Sequence, residues 1–323
     1  MTVSKFNRIT HFMKGKKGFC IILLVMIFLL TTSIAAYAEQ VTAPTADPPA
    51  GTYGGPQKVT LSTKTEGATI HFTINQAPRG AQYTSPIEIS SNTTIAAYAV
   101  KDGLDKSPIS TFEYVIIFAG GDGSEANPYQ VATAEQLNSV RYYLDKHFQQ
   151  TADIDLSSYK NGSGWEPIGS NSSPFTGTFD GNGNTISNLT INRSTTDYIG
   201  LFGITDNAEI QNTKLENATI TGRHYTGALV GWNEGTITNS YATGAVSGGA
   251  WVGGLVGYNS SGTITKSYAT STVTGQYYVG GLAGSCYDSL ITNSYATGDV
   301  KSEVNDVGGL VGYNKQYSSI TNS

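Results

Sequence analysis

The sequence has few charges, almost no cysteine and, in its C-terminal repeats, no apolar stripe at helical spacing, and each shortage excludes something. Asp, Glu, Lys and Arg make up 13% of 323 residues, against 38 glycines and 20 tyrosines. That balance favours turns and strands over helices. An aromatic share of 11% is too high for a disordered chain. Of the two cysteines, Cys20 lies in a leader-like apolar run, so only Cys286 remains in a processed chain and no internal disulfide can form. The fold must then rest on its own core. His71, His147 and His224 are far apart in sequence, with no HExxH and no His/Cys cluster, which argues against zinc. There is no GxSxG and no P-loop. No cofactor and no enzymatic activity are expected.

The first 38 residues read as a signal peptide. Lys5, Arg8, Lys14, Lys16 and Lys17 precede the apolar run FCIILLVMIFLL (19–30), and AYA (36–38) supplies the small residues of a cleavage site before Glu39. KGF before Cys20 lacks the residues of a lipoprotein site, so no lipid anchor is expected. Removing those 5 basic residues from 19 leaves 14 against 24 acidic ones, a net charge of −10. That argues against nucleic acid or an anionic membrane as partner once the leader is gone.

From residue 48 the pattern alternates with period two. KVTLST places Val59 and Leu61 on one face, ATIHFTIN places Ile70, Phe72 and Ile74, PIEIS places Ile87 and Ile89, and TTIAAYAV sets Tyr98 and Val100 opposite Ile95. Asp-Gly in KDGL (101–104) is a hairpin signal before a last strand near 111–115. Such short strands predict a small antiparallel β-sandwich.

The C-terminal part repeats itself. Leu201, Leu229, Leu255, Leu282 and Leu310 sit in five copies of a Gly-Leu-x-Gly-like signature, spaced 28, 26, 27 and 28. Ile210, Ile237, Ile264 and Ile291 recur every 27 residues, as do Tyr241, Tyr268 and Tyr295 in NSYATG and its variants. Landmarks locked to one period mean a structural unit. Without a helical stripe, a coil of about 27 residues predicts a β-solenoid with like residues stacked at ~4.8 Å. In SYATG the small residues Ser240, Ala242 and Gly244 share one parity, which suits a narrow lumen and favours Tyr241 outside, the alternative being that the tyrosines point inward or cover a neighbouring strand. Trp232, Tyr258 and Tyr313 suggest a further row, in which the fourth copy has Ser285 and then Cys286 where Asn233, Asn259 and Asn314 stand.

Two resemblances follow from these residues. PPAGTYGGPQKVTLSTKTEGATIHFTIN with YTSPIEISSNTTIAAYAVKDG resembles the β-sandwich of chitobiase/β-hexosaminidase C-terminal domains, although INQAPRG (74–80) replaces the usual Asp-Gly turn. The resemblance implies an accessory module. The repeats resemble the GLUG motif, and WEPIGS (165–170) and FTGTFDGNGNTISNLTI (175–191) resemble its lead-in. Relatives with this motif include surface proteins and the N-terminal parts of immunoglobulin-A-cleaving proteases. The expected fold is therefore all-β: an antiparallel β-sandwich, then a parallel β-helix-like solenoid with a short capping helix. Its segments are a signal peptide (1–38), a linker (39–47), an immunoglobulin-like sandwich (48–117), a lead-in and cap (118–196) and GLUG repeats (197–323). The cap helix is predicted from a Thr133/Gln136 capping pattern with Leu137, Val140, Tyr143 and Leu144 on one face. Because ITNS begins a sixth unit, a longer parent chain is expected.

The acidic candidates are weak. Asp180, Asn182 and Asn184 alternate as in a calcium loop, but Thr185 and Ile191 stand where that loop needs Gly and Glu, so a solvated turn is expected. Asp153 and Asp155 offer a carboxylate pair, read as surface or turn residues. The function expected is that of an exported bacterial surface or extracellular scaffold or adhesin. Its candidate contact row is Tyr241, Tyr268 and Tyr295, with aromatic stacking on sugar rings. Cell-wall or host glycans or surface proteins are the expected partners. The alternative is a non-catalytic region of a larger secreted polysaccharide-degrading enzyme or protease.

Overall fold

The computed structural model describes residues 39–76 and 80–323. The expected signal peptide lies outside the described residues, as do residues 77–79 of the INQAPRG turn. The described chain forms two compact units, and the 48–117 segment contributes strands to both.

One unit holds 39–47, 60–86 and 94–112. Its central pair is Thr69–Ile74 antiparallel to Thr93–Val100, with Ile70 opposite Ala99 and Phe72 opposite Ala97. Strict alternation in Thr93–Val100 buries Ile95, Ala97 and Ala99 and turns Tyr98 and Val100 outward. The KDGL turn closes with the Leu104 amide donating to Lys101 O, and Gly103 takes the left-handed φ of +82° that a side chain would resist.

The second unit holds 48–59, 87–93 and 113–323. Here Gln57–Val59 pairs antiparallel with Ile87–Ile89. Gly51–Tyr53, however, pairs parallel with 114–116. The purely antiparallel expectation is thus corrected to a mixed arrangement. These two strands are separated by a long crossover and not by a hairpin, and a crossover permits parallel pairing.

The rest of this unit is a solenoid of about six turns. Two long sheets run its length, and every pairing in them is parallel. Ile210, Ile237, Ile264, Ile291 and Ile320 stand in register. The leucines align as well: the Leu229 amide donates to Leu255 O, Leu255 to Leu282 O and Leu282 to Leu310 O, at 2.8–2.9 Å. Leu201, Leu229, Leu255 and Leu282 are fully buried, each contributing about 1.5–3 kcal/mol by burial. The signature's second glycine marks where two coils touch backbone to backbone. A Cβ built on Gly284 would collide with Trp251 C and Val252 N.

Stacking begins upstream of the repeats. The isoleucine column continues through Phe179, Phe148 and Tyr129. Across the lumen, Ile154, Ile186 and Leu215 give way to Ala242, Ala269 and Ala296. The helix Ala134–Ser139 lies at this end, with Thr133 Oγ1 accepting the Gln136 amide hydrogen at 3.2 Å. Leu137 and Val140 are buried and Tyr143 and Leu144 pack against the core, but the α-helix ends at Ser139, Val140 opens a 3-10 turn to Tyr142, and Tyr143 and Leu144 lie beyond the expected helical face.

Candidate functional site

The NSYATG string is one corner of the solenoid followed by the start of a strand. Asn212, Asn239, Lys266, Asn293 and Asn322 all have φ of 48–53°, a left-handed conformation that asparagine tolerates best among non-glycine residues. The serine that follows turns inward. Ser240, Ser267 and Ser294 are 1% exposed, and each Oγ donates to the carbonyl two residues back at 2.8–2.9 Å. Each Oγ also accepts the amide of its counterpart in the preceding coil: Thr213 N, Ser240 N and Ser267 N, at 3.1–3.2 Å. Buried hydroxyls and corner amides thereby satisfy each other.

The next residue is the tyrosine, and it points out. Tyr241, Tyr268 and Tyr295 stand in register. Their rings stack with centroids 4.8 and 4.9 Å apart and planes within 10° and 2° of parallel. Tyr295 is 49% exposed. Tyr241 OH donates to Glu216 Oε1 at 2.6 Å. Burial first, and then Glu216, hold the Tyr241 phenol far above its ordinary pKa. Burial, then Tyr295, raises that of Tyr268. Both shifts favour the neutral phenols of Tyr241 and Tyr268. Its geometry also alters the expected mode of contact: Tyr268 lies between two rings, so the row offers edges and hydroxyls to a partner more than open ring faces.

An open groove of about 450 Å³ runs beside the row, lined by Asn212, Lys214, Asn239, Tyr241, Lys266 and Tyr268 together with Asn182 and Gly183. A ladder of amides crosses its corner: Asn239 Nδ2 donates to Asn212 Oδ1 at 2.7 Å, and Asn212 Nδ2 to Asp180 Oδ1 at 2.9 Å. A second groove, of about 570 Å³, crosses the coils at Thr221, Ser247 and Thr274, beside Arg223, His224 and Glu303.

Sequence reasoning missed a second aromatic column. Tyr198, Tyr225, Trp251 and Tyr278 occupy equivalent corners with φ of 53–62°. Tyr225 stacks on Tyr198 at 5.0 Å and on Trp251 at 4.5 Å, and Trp251 stacks on Tyr278 at 5.5 Å. The row that the sequence did suggest interleaves with it: Trp232 lies 5.1 Å from Tyr225 and 4.6 Å from Tyr258, and Tyr313 lies 5.1 Å from Tyr278. The available signal was an aromatic every 27, 26 and 27 residues. Its neighbours (DYI, HYT, AWV, YYV) never repeat as a string.

The acidic candidates serve the backbone. Asp180 accepts from Asn182 N, Gln211 Nε2 and Asn212 Nδ2. Asp153 accepts the Thr185 amide hydrogen. Asp155 accepts from Ser157 N, Ser157 Oγ and Asn188 Nδ2, and those hydrogen bonds, Asn188 foremost, hold its carboxyl below the usual range. His71 stacks on Tyr98, and His147 Nδ1 lies 2.9 Å from Thr178 Oγ1. Among the described residues no three His, Cys, Asp or Glu side chains gather as a metal cluster. No helix among them is long and apolar enough to cross a membrane.

With this geometry in hand, the comparisons with known proteins are decisive for the repeat. The model of the GLUG motif matches residues 222–247, 248–274 and 275–301. The chain carries GLUG motifs. Each match spans one coil, including its corner aromatic and its Gly-Leu-x-Gly turn. The chitobiase/β-hexosaminidase C-terminal domain model matches 48–111. A "Putative Gly-rich membrane protein" of Evansella cellulosilytica is 40% identical over 188 residues, covering 45% of this chain and 21% of that protein. "Halomucin" of Haloquadratum walsbyi is 35% identical over 207 residues, covering 60% of this chain and 2% of that protein. The chain thus spans about a fifth of the first of these curated relatives and about a fiftieth of the second. A crystal structure described as a putative immunoglobulin A1 protease from Bacteroides ovatus superposes with a TM-score of 0.55 at 28% identity, over 63% of this chain and 67% of that one. Together these similarities fit a surface repeat protein.

Proposed function

We propose that the chain works outside the cell as a non-enzymatic scaffold or adhesin, whose solenoid is a rigid rod making repeated shallow contacts with cell-wall or host glycans or with surface proteins. The observation that carries this reading is register. Tyr241, Tyr268 and Tyr295 present one group on three successive coils. Contacts that are weak singly add up when the partner also repeats. The two large depressions support it too, since both are open grooves running across coils. Relatives named as a membrane protein and as halomucin support a surface setting.

The test is retention of the full chain on peptidoglycan, chitin and host glycans, with protease shaving of intact cells alongside. Retention on one of these, weakened severalfold by replacing all three row tyrosines with alanine, is expected. A protein untouched by shaving would sink the scaffold role, and no retention anywhere would sink the glycan contact. A second reading, as accessory region of a larger secreted enzyme, is favoured by the structural similarity to the Bacteroides ovatus protein. The parent reading frame separates the two: a downstream wall anchor supports the scaffold, and an HExxH or carboxylate-bearing domain supports the enzyme.

A further inference from the structure

The groove beside the tyrosine row carries a narrower inference, which rests on taking that row as a contact face. We infer that this groove takes a linear glycan bearing carboxylates, laid along the solenoid axis. Its lining comes from four successive coils, represented by Asn182, Asn212, Asn239 and Lys266, so it extends roughly 14 Å at ~4.8 Å per step. A chain-like ligand suits that shape better than a compact one.

Charge selects the ligand further. Lys214 and Lys266 both line the groove, in a chain with 24 acidic residues against 19 basic. Among the described residues the ion pairs are Lys58–Glu88, Arg141–Glu166, Lys146–Asp145 and Arg223–Asp197, so neither groove lysine is neutralised by one. Lys214 Nζ donates to Gly183 O at 2.7 Å and keeps two further N–H groups. Asp180 and Glu216 are the nearby carboxylates, but neither lines the groove. Their oxygens accept from Asn182, Gln211 and Asn212, and from Tyr241.

Spacing adds direction. Lys214 and Lys266 belong to coils two steps apart, about 10 Å along the axis, close to the length of a disaccharide. Between them the amide ladder uses one N–H of Asn212 and one of Asn239, leaving the second N–H of each for sugar hydroxyls. The tyrosine edges form the facing wall. Lysines contributed by coils two steps apart, with amide donors between them, match a polyuronate.

The full chain is titrated with an oligogalacturonate and, separately, with chitin and sulfated oligosaccharides of equal length at low salt. The expected result is preference for the uronate. The Lys214→Gln/Lys266→Gln variant should bind it about fivefold more weakly, with an unchanged melting temperature and a smaller response to added salt. Equal affinity of variant and wild type, a preference for the neutral or sulfated oligomer, or no uronate binding overturns the inference. Tyr268→Ala then tells this failure from that of the broader reading. If it weakens binding of another glycan, the contact face stands and only the uronate assignment falls. If it changes nothing on any ligand, the row falls as well.

Discussion

Inside the solenoid, Asn233 Nδ2 donates to Asn259 Oδ1 at 2.7 Å, and both side chains are buried. Thr205 Oγ1 continues the ladder on one side, donating to Asn233 Oδ1 at 2.8 Å. On the other side the residue in register is Cys286, whose thiol interacts with the Asn259 and Ser289 side chains but is a weaker hydrogen-bond partner than an amide. Each asparagine also ties its own turn, to Gly235 O and Gly262 O. Asn259→Ala should therefore destabilise by about 2 kcal/mol, because it strands a buried N–H and a carbonyl together. Cys286→Asn should raise stability by replacing a weak thiol contact with an amide rung. Denaturant midpoints of the two variants check both statements.

Thr226 stands in a column otherwise filled by Ile199, Val252, Val279 and Val307. It is fully buried and its hydroxyl has no hydrogen-bond partner. Valine keeps the shape and removes the unpaired group, so Thr226→Val should stabilise by about 1–2 kcal/mol. A lower melting temperature for this variant would contradict the assignment.

Gly284→Ala should be far more damaging than its size suggests. The added methyl would meet backbone atoms of Trp251, Val252 and Gly257, and backbone cannot swing aside as a flexible side chain can. We expect a loss beyond about 3 kcal/mol, the range of severe overpacking, with the folded fraction read by circular dichroism.

Stability should fall at alkaline pH. Burial pushes the Cys286 thiol up to about 11, and burial is also the leading cause that raises the phenols of Tyr225, Tyr241, Tyr258 and Tyr268. An acid whose pKa rises on folding contributes stability that is whole below its unfolded pKa and is lost as pH climbs toward the folded one. Melting temperature should hold steady up to pH 9.0, the ordinary thiol value, and drop more steeply past 10.0, the ordinary phenol value. Cys286→Ala should remove the earliest part of that fall.

The coil was legible in the sequence because its lumen and corners select narrowly. Within the repeats, leucine fills the column at Leu229 and isoleucine the column at Ile237, and a serine hydroxyl serves both neighbours at Ser240, Ser267 and Ser294, so identical letters recur. The Tyr198–Tyr225–Trp251 column stayed hidden because a half-exposed stack accepts tyrosine or tryptophan, and its flanks face different surroundings. The upstream coils were read as a lead-in for a similar reason: Phe148 and Phe179 continue the isoleucine column with another residue type. The Gly51–Tyr53 pairing was missed because a strand's alternation does not reveal the direction of its partner. Parity favoured an outward Tyr241 without excluding an inward one, and the mutual covering of the tyrosine rings needed coordinates.

The serine rungs join each coil only to its immediate neighbours. Ser247 and Thr274 occupy equivalent places, so excising 248–274 would set Gly275 where Gly248 was and leave every remaining rung intact. Reach is then a quantity that recombination can adjust in whole steps, gaining or losing about 4.8 Å for each 81 nucleotides.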